Sequence, residues 1–189
     1  MKSVCIVQAR TTSKRLPGKV LLPLNGHTVI EEVLTRCNRI NVDRVICAIP
    51  RTDVGLGEVV AKHCEVYFGS ETNVYSRYVE ASVGYDVIMR ITADCPLLSP
   101  ELCTAVFNSL GDYEYTSNCE PATFPKGYDC EVFTRKALLE TIRPDCEHVT
   151  THMRTAPFHR NVVRSPWPLQ GRVTLDTIDD YRVIKEVFK

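Results

Sequence analysis

No apolar run in this sequence approaches the roughly 18 to 20 residues that a bilayer span needs. The apolar stretch at its N-terminus, MKSVCIVQAR, is far too short for a secretory signal. A soluble protein of the cytoplasm is therefore expected, with no membrane partner. A surplus of charge is missing as well: 23 Lys and Arg face 23 Asp and Glu. Bulk attraction to nucleic acid or to an anionic surface is excluded, and electrostatic work must be local. There are nine cysteines, but their number is odd and no two form a C-x-x-C pair, which argues against a disulfide framework. Cys5, Cys37, Cys47, Cys103 and Cys130 sit in apolar runs, as reduced core cysteines do. A zinc reading rests on Cys146, His148 and His152, yet no second pair of ligands lies nearby. The Walker signature and the G-x-G-x-x-G fingerprint of phosphate-binding loops are both absent.

What the chain does have is 44% hydrophobic residues over a length of 189, enough for one domain with a sizeable core. Its first half alternates β-branched runs with helix-period segments, the pattern of a sheet made of strand, helix, strand units. Strands are expected at Ser3 to Gln8, Arg44 to Ile49, Val66 to Phe68 and Val87 to Ile91. Helices are expected at Thr28 to Ile40, Val54 to His63, Asn73 to Val83 and Pro100 to Leu110. From Tyr113 the regularity weakens. Strands at Tyr113 to Ser117 and Asp129 to Phe133, with helices at Arg135 to Ile142 and Glu147 to Thr155, read as an excursion from the sheet, spanning about 113 to 164. A final strand at Arg172 to Leu175 and a helix from Ile178 to Phe188 close the chain.

The first strand runs into Ala9-Arg10-Thr11-Thr12-Ser13-Lys14-Arg15-Leu16-Pro17-Gly18-Lys19, which carries four cations before the first acidic residue, Glu31. Ligands of open parallel sheets bind at the carboxyl ends of strands, so an anion is the natural occupant of this loop. Arginine suits a two-point grip on phosphate oxygens and lysine acts as a point charge, with Ser13 able to add a hydrogen bond. Two acidic residues also follow expected strands: Asp94, after Val87 to Ile91, and Asp176, after Arg172 to Leu175. Each could be only a helix cap or turn former. Taken with the basic loop, they make a site for Mg²⁺ and a nucleoside triphosphate, because Mg²⁺ is held by one or two carboxylates plus phosphate oxygens.

Several strings together resemble the cytidylyltransferase family of CMP-3-deoxy-manno-octulosonate and CMP-sialate synthetases, in particular its spore-coat polysaccharide branch. They are Val7-Gln8-Ala9-Arg10 through Lys19, Gly69-Ser70-Glu71 through Tyr78, Arg90-Ile91-Thr92-Ala93-Asp94-Cys95-Pro96-Leu97, Thr123 to Val132, Glu147-His148-Val149-Thr150, and Thr174 to Asp180. The resemblance implies a Rossmann-like nucleotidyltransferase fold of the α/β class, a mostly parallel mixed sheet flanked by helices, with a dimerisation excursion before the last strand. It implies transfer of CMP from CTP to a small acidic sugar-type acceptor, release of pyrophosphate, Mg²⁺ as cofactor and a homodimer.

Carried over residue by residue, the nucleotide is contacted by Ala9, Arg10, Ser13, Arg15, Lys19, Ser70 and Asp94, with Arg10, Lys19 and Asp94 catalytic. Asp94 and Asp176 hold the metal. Arg77, Tyr128, Asp129, Glu131, Glu147 and His148 are the candidates for the acceptor, with Arg77 or Arg154 suited to a carboxylate. Thr12 and Lys14 depart from the residues usual in this loop. Two rival readings stand beside this one. A metal-dependent glycosyltransferase would use D-x-D, nearest imitated by Asp129-Cys130-Glu131, and a non-catalytic partner of a polysaccharide pathway would bind CTP without turnover.

Overall fold

Strand β1 (Ser3–Gln8) is buried along almost its whole length, because both of its faces are covered. Val4 and Ile6 turn to one side of it, Cys5 and Val7 to the other. It is the spine of a computed structural model that describes residues 1–141, 148–155, 158–166 and 170–189. After it come a 3₁₀ turn (Lys19–Leu21), β2 (Pro23–Leu24), β3 (His27–Thr28), α1 (Val29–Cys37), β4 (Arg44–Pro50), α2 (Val54–Val60), β5 (Glu65–Gly69), α3 (Val74–Ala81), β6 (Val87–Thr92) and α4 (Pro100–Asn108). The second half supplies β7 (Tyr115–Ser117), β8 (Glu131–Thr134), α5 (Arg135–Glu140), α6 (Thr151–Thr155), β9 (Arg160–Val162) and α7 (Ile178–Glu186).

Seven strands form one sheet in the order β5-β4-β1-β6-β8-β7-β9. Strand β8 runs antiparallel to both neighbours, and the other pairings are parallel. Helices α1, α2 and α4 cover one face through Ile30, Leu34, Leu56, Val60, Cys103 and Val106. Helices α3, α5 and α6 cover the other through Val74, Tyr78, Leu138 and Met153. The expected class, a mostly parallel mixed sheet between helices, is the one found. From β1 the chain steps outward to β4 and β5 and then crosses to β6, on the other side of β1, so the order reverses between β1 and β6. Such a switch point opens a crevice beyond the strand ends, here where Gln8 pairs with Thr92.

Three elements depart from expectation. The segment Arg172 to Leu175 makes only an isolated bridge, Lys126 to Arg172, and is not a strand. Its N–H groups are divided between two loops: Val173 donates to the Lys126 carbonyl at 2.7 Å and Leu175 to the Asp94 carbonyl at 2.8 Å. A ladder needs one continuous neighbour, and this strap has two. The excursion also does not leave the sheet but widens it, since β8, β7 and β9 are its outer strands and β9 is the last strand among the described residues. Finally, β2 and β3 form a small hairpin. Its turn, Asn25 at φ +52° and Gly26 at φ +77°, has both central residues in the left-handed region. Helix α7 lies over this hairpin, with Leu24, Val29, Leu97, Leu175 and Ile184 as a third small core. Among the described residues no helix is long and apolar enough to cross a membrane.

Candidate active site

The basic loop is fixed at both ends. Its first turn is tied down by Asp53, which sits just before α2 and is buried. The Thr11 N–H donates to Asp53 Oδ2 at 2.9 Å, and the Thr11 hydroxyl donates to Oδ1. At the far end the Gly18 N–H donates to the Thr11 carbonyl at 2.8 Å. Gly18 has φ +69°, a conformation that costs glycine little and other residues more. This closure delivers Lys19 to the floor of the crevice, where it is only 7% exposed. Its ammonium donates to Asp94 Oδ2 at 2.7 Å, Asp176 Oδ1 at 3.0 Å and the Leu175 carbonyl at 2.7 Å. All three donors of the lysine are thereby used.

The alternatives for Asp176 separate cleanly. Capping of α7 belongs to Thr177, whose hydroxyl accepts from the Asp180 N–H while the Asp180 carboxylate accepts from the Thr177 N–H at 2.8 Å. The Asp176 side chain is left to the crevice, where Arg15 Nη2 lies 2.7 Å from Oδ1 and Arg172 binds Oδ2. Burial by itself pushes the Asp176 carboxyl up; the hydrogen bond and charge of Lys19, followed by Arg172 and Arg15, outweigh it and hold the group below the ordinary carboxylate range. Asp94 is less enclosed, with a side chain 24% exposed, and it opens into the crevice.

The crevice is a cavity of about 680 Å³, within the range of small-ligand sites. On its basic side it is walled by Ala9, Arg10, Ser13 and Arg15, with Lys19, Asp94 and Asp176 beneath. On the side of β8 and α6 it is walled by Asp129 and His148 together with Arg90 and Arg154. Arg77 also lines it, but from the opposite side, packed under the end of β5. A Cβ added at Gly69 would stand 2.6 Å from Arg77 Cγ, so the strand end must be glycine for the guanidinium to lie there. Arg77 is 1% exposed, and its Nε and Nη1 make no hydrogen bond to the described residues. Burial lowers its pKa, and Arg10 nearby lowers it further.

Other expected residues are placed elsewhere. Ser70 does not line the cavity; its Oγ accepts from the Asn73 N–H at 3.1 Å and shapes the turn before α3. Tyr128 is also outside the lining, with its carbonyl accepting from Asn118 at 2.8 Å. Glu147 and Cys146 lie outside the described residues. Among those described, no group of three or more His, Cys, Asp or Glu side chains is arranged to hold a metal. Glu131 faces away from the cavity into a buried cluster of Arg90, Arg154, Tyr115 and Thr150. Asp129-Cys130-Glu131 is therefore no metal-binding D-x-D, because one carboxylate is committed to arginines. Burial pushes the other, Asp129, up, although the Gly127 N–H donates to it at 3.3 Å.

Three residues that matter here were assigned no role from the sequence. Asp53 carried no signal beyond its place in a turn. Gln8 ends β1, and its Oε1 accepts from Tyr78 and from Arg90 Nε, both at 3.2 Å. Arg90 did carry a signal: a cation inside the apolar strand Val87-Ile88-Met89-Arg90-Ile91 has to find an anion.

An open parallel sheet with a basic loop at its switch point, and two carboxylates converging under that loop, defines a nucleotide-binding enzyme of the nucleotidyltransferase type. A family model described as cytidylyltransferase matches residues 4–186. The chain is 32% identical to the spore coat polysaccharide biosynthesis protein SpsF of Bacillus subtilis, with 97% of this chain and 85% of that protein covered. A 3-deoxy-manno-octulosonate cytidylyltransferase of Fusobacterium nucleatum is 33% identical, over 58% of this chain and 46% of that one. Among solved structures, a cytidylyltransferase of Leptospira borgpetersenii superposes with a TM-score of 0.90 at 29% identity, covering 98% of this chain and 85% of that one. The chain belongs to the cytidylyltransferase family, and its enzymatic class is that of a CTP-using nucleotidyltransferase.

Proposed function

We propose that this enzyme transfers CMP from CTP to a sugar acid, with release of pyrophosphate, in the making of a surface polysaccharide. The observation that carries the reading is the meeting of Lys19 with Asp94 and Asp176, from three distant stretches of chain, on the floor of the cavity roofed by the basic loop. The names of the Bacillus and Fusobacterium relatives support the pathway and the acid acceptor.

In this reading Arg10 and Arg15 grip the β and γ phosphates, Ser13 adds a hydrogen bond, and Arg77 lies on the nucleotide side. The acceptor enters from the side of Asp129, His148 and Arg154. Its hydroxyl oxygen attacks the α-phosphorus in line, the bond from that phosphorus to the bridging oxygen breaks, and Lys19 stabilises the charge left on pyrophosphate. The raised pKa of Asp129 suits it to take the hydroxyl proton. A divalent cation, Mg²⁺ in our reading, would be held by Asp94 and Asp176, the two carboxylates that meet at the Lys19 ammonium. When bound it supplies neutralisation of phosphate charge. The same reading carries a homodimer, supported by β9 standing at the edge of the sheet among the described residues and checked by light scattering.

The test is a screen of four nucleoside triphosphates against sugar acids with Mg²⁺ or Mn²⁺, scored by pyrophosphate. CTP with one acid is the expected pair. Release of a nucleoside diphosphate from a nucleotide sugar would make the protein a glycosyltransferase, and CTP binding with no turnover of any acid would make it a non-catalytic partner.

A further inference from the structure

Glu131 is 1% exposed and accepts five hydrogen bonds: from Arg90 Nη1 at 2.6 Å, Thr150 Oγ1 at 3.0 Å, the Tyr115 hydroxyl at 2.5 Å, and Arg154 Nε and Nη2 at 3.0 and 2.8 Å. One buried carboxylate thus faces two guanidiniums. Arg154 is balanced further by Glu120, 3.2 Å from its Nη1, on the solvent side. Among the described residues Arg90 pairs with no second acid, and its Nε donates to the amide oxygen of Gln8. Burial pushes the Glu131 carboxyl up, and the charges of Arg90 and Arg154 more than reverse it, so the clamp is ionised. Both arginines form wall of the catalytic cavity, on the side away from the triphosphate loop, while Glu131, which holds them, does not line it.

We propose that Glu131 is a positioning residue, which aims Arg90 and Arg154 at the anionic group of the acceptor and so sets the preference for acids over neutral sugars. This rests on the reading of the protein as a transferase of CMP to an acid. Glu131 touches neither substrate; it holds the two guanidiniums in the orientation in which they stand in the cavity wall.

The test compares wild type with Glu131→Gln, which keeps the shape and removes the charge. Acceptors are 3-deoxy-manno-octulosonate, N-acetylneuraminate and glucuronate, each beside its methyl ester. Loss of a charge-assisted pair predicts an increase of about tenfold or more in KM for the acid, with KM for CTP and turnover of the ester unchanged. Unchanged acid KM overturns the proposal, and so does a parallel rise in both KM values, the mark of general damage. Should Glu131→Gln fail to fold, Arg90→Lys keeps the charge of the cluster and changes the geometry of the group; acid KM is expected to rise by about tenfold or more, and acid KM equal to wild type overturns the proposal. Should wild type release no pyrophosphate with any acceptor, the functional reading fails separately. Calorimetry of the same acids and esters then decides: acids binding more tightly than esters, with the difference abolished in Glu131→Gln, upholds the clamp, and equal binding of both overturns it.

Discussion

The ammonium of Lys19 lies 2.7 Å from the carboxylate of Asp94, a residue 75 positions away in sequence, and holds that carboxylate beside Asp176. The pairing shows why each of the three is expected to be sensitive in its own way. Asp94→Asn keeps a hydrogen-bond acceptor for Lys19 and removes a charge, so the fold should survive. Pyrophosphate release should fall by about a hundredfold or more, the scale of losing an electrostatic contribution to the transition state. Circular dichroism together with the pyrophosphate assay checks both halves; near wild-type release in Mg²⁺ would remove Asp94 from the mechanism. Lys19→Met removes the cation between two carboxylates and should cost about 3 kcal/mol of stability as well as activity, read by chemical denaturation.

The loop proposed to grip the nucleotide is only as well placed as its anchor. Asp53 accepts both the N–H and the hydroxyl of Thr11 from within the protein. Asp53→Ala leaves these donors without their partner at a cost of about 1 to 3 kcal/mol. It also unpins the loop ahead of Ser13 and Arg15. KM for CTP should rise severalfold while KM for the acceptor stays near wild type. Equal changes in both would show that Asp53 supports the fold at large and not the loop.

Much of this was legible beforehand, and the reasons are local. Strand β1 was read with its observed ends, because six consecutive residues that must be buried on both faces admit little else. The basic loop and Asp94 were legible as site candidates because strand ends of a parallel sheet are where ligands sit; Asp176 was reached through a strand at Arg172 to Leu175 that does not form. The failures came where a residue's partner lies far away in sequence. Nothing near Arg172 to Leu175 tells that its N–H groups serve two loops, and three residues of β9 carry too little pattern to be told from a turn. Glu131 and Asp129 alternate on a strand, so both could have faced a site; only the arginines from β6 and α6 decide that Glu131 turns inward. The hairpin β2–β3 is different, since Asn25-Gly26 is a hairpin signal that went unread in the sequence.

Gly127 is required by a close approach and by its backbone. It has φ +112°, and a Cβ there would stand 2.8 Å from the Val173 carbonyl carbon and 2.9 Å from the Thr174 nitrogen. The neighbour is backbone and part of the strap that presents Asp176, so it cannot rotate out of the way. Gly127→Ala should destabilise the protein by about 1 to 3 kcal/mol and weaken activity beyond what the loss of stability explains, because the strap shifts. Thermal unfolding with kinetics measured well below Tm separates the two effects; a variant as stable as wild type would show that the loop simply moves aside.

Helix α1 gives a prediction on pH that is independent of the active site. Its cap pairs Thr28 and Glu31 reciprocally, and Glu31 Oε1 also lies 3.1 Å from His63 Nε2. The Thr28 hydroxyl is the main reason that the Glu31 pKa falls from 4.5 to about 2; slight burial works against it, while the Thr28 N–H and His63 assist. A carboxylate depressed in the folded state stabilises fully above its unfolded value and loses that contribution as pH falls toward the folded one. The contribution of Glu31 should therefore be whole at pH 7, begin to fade below about 4.5 and be gone near about 2. Glu31→Gln should be less stable than wild type by about 1 kcal/mol at neutral pH, with the gap closing across that acid window. Urea denaturation of both proteins at a series of pH values measures the gap directly, and one that stays constant down to the lower limit would show that the carboxylate charge of Glu31 does not support the cap.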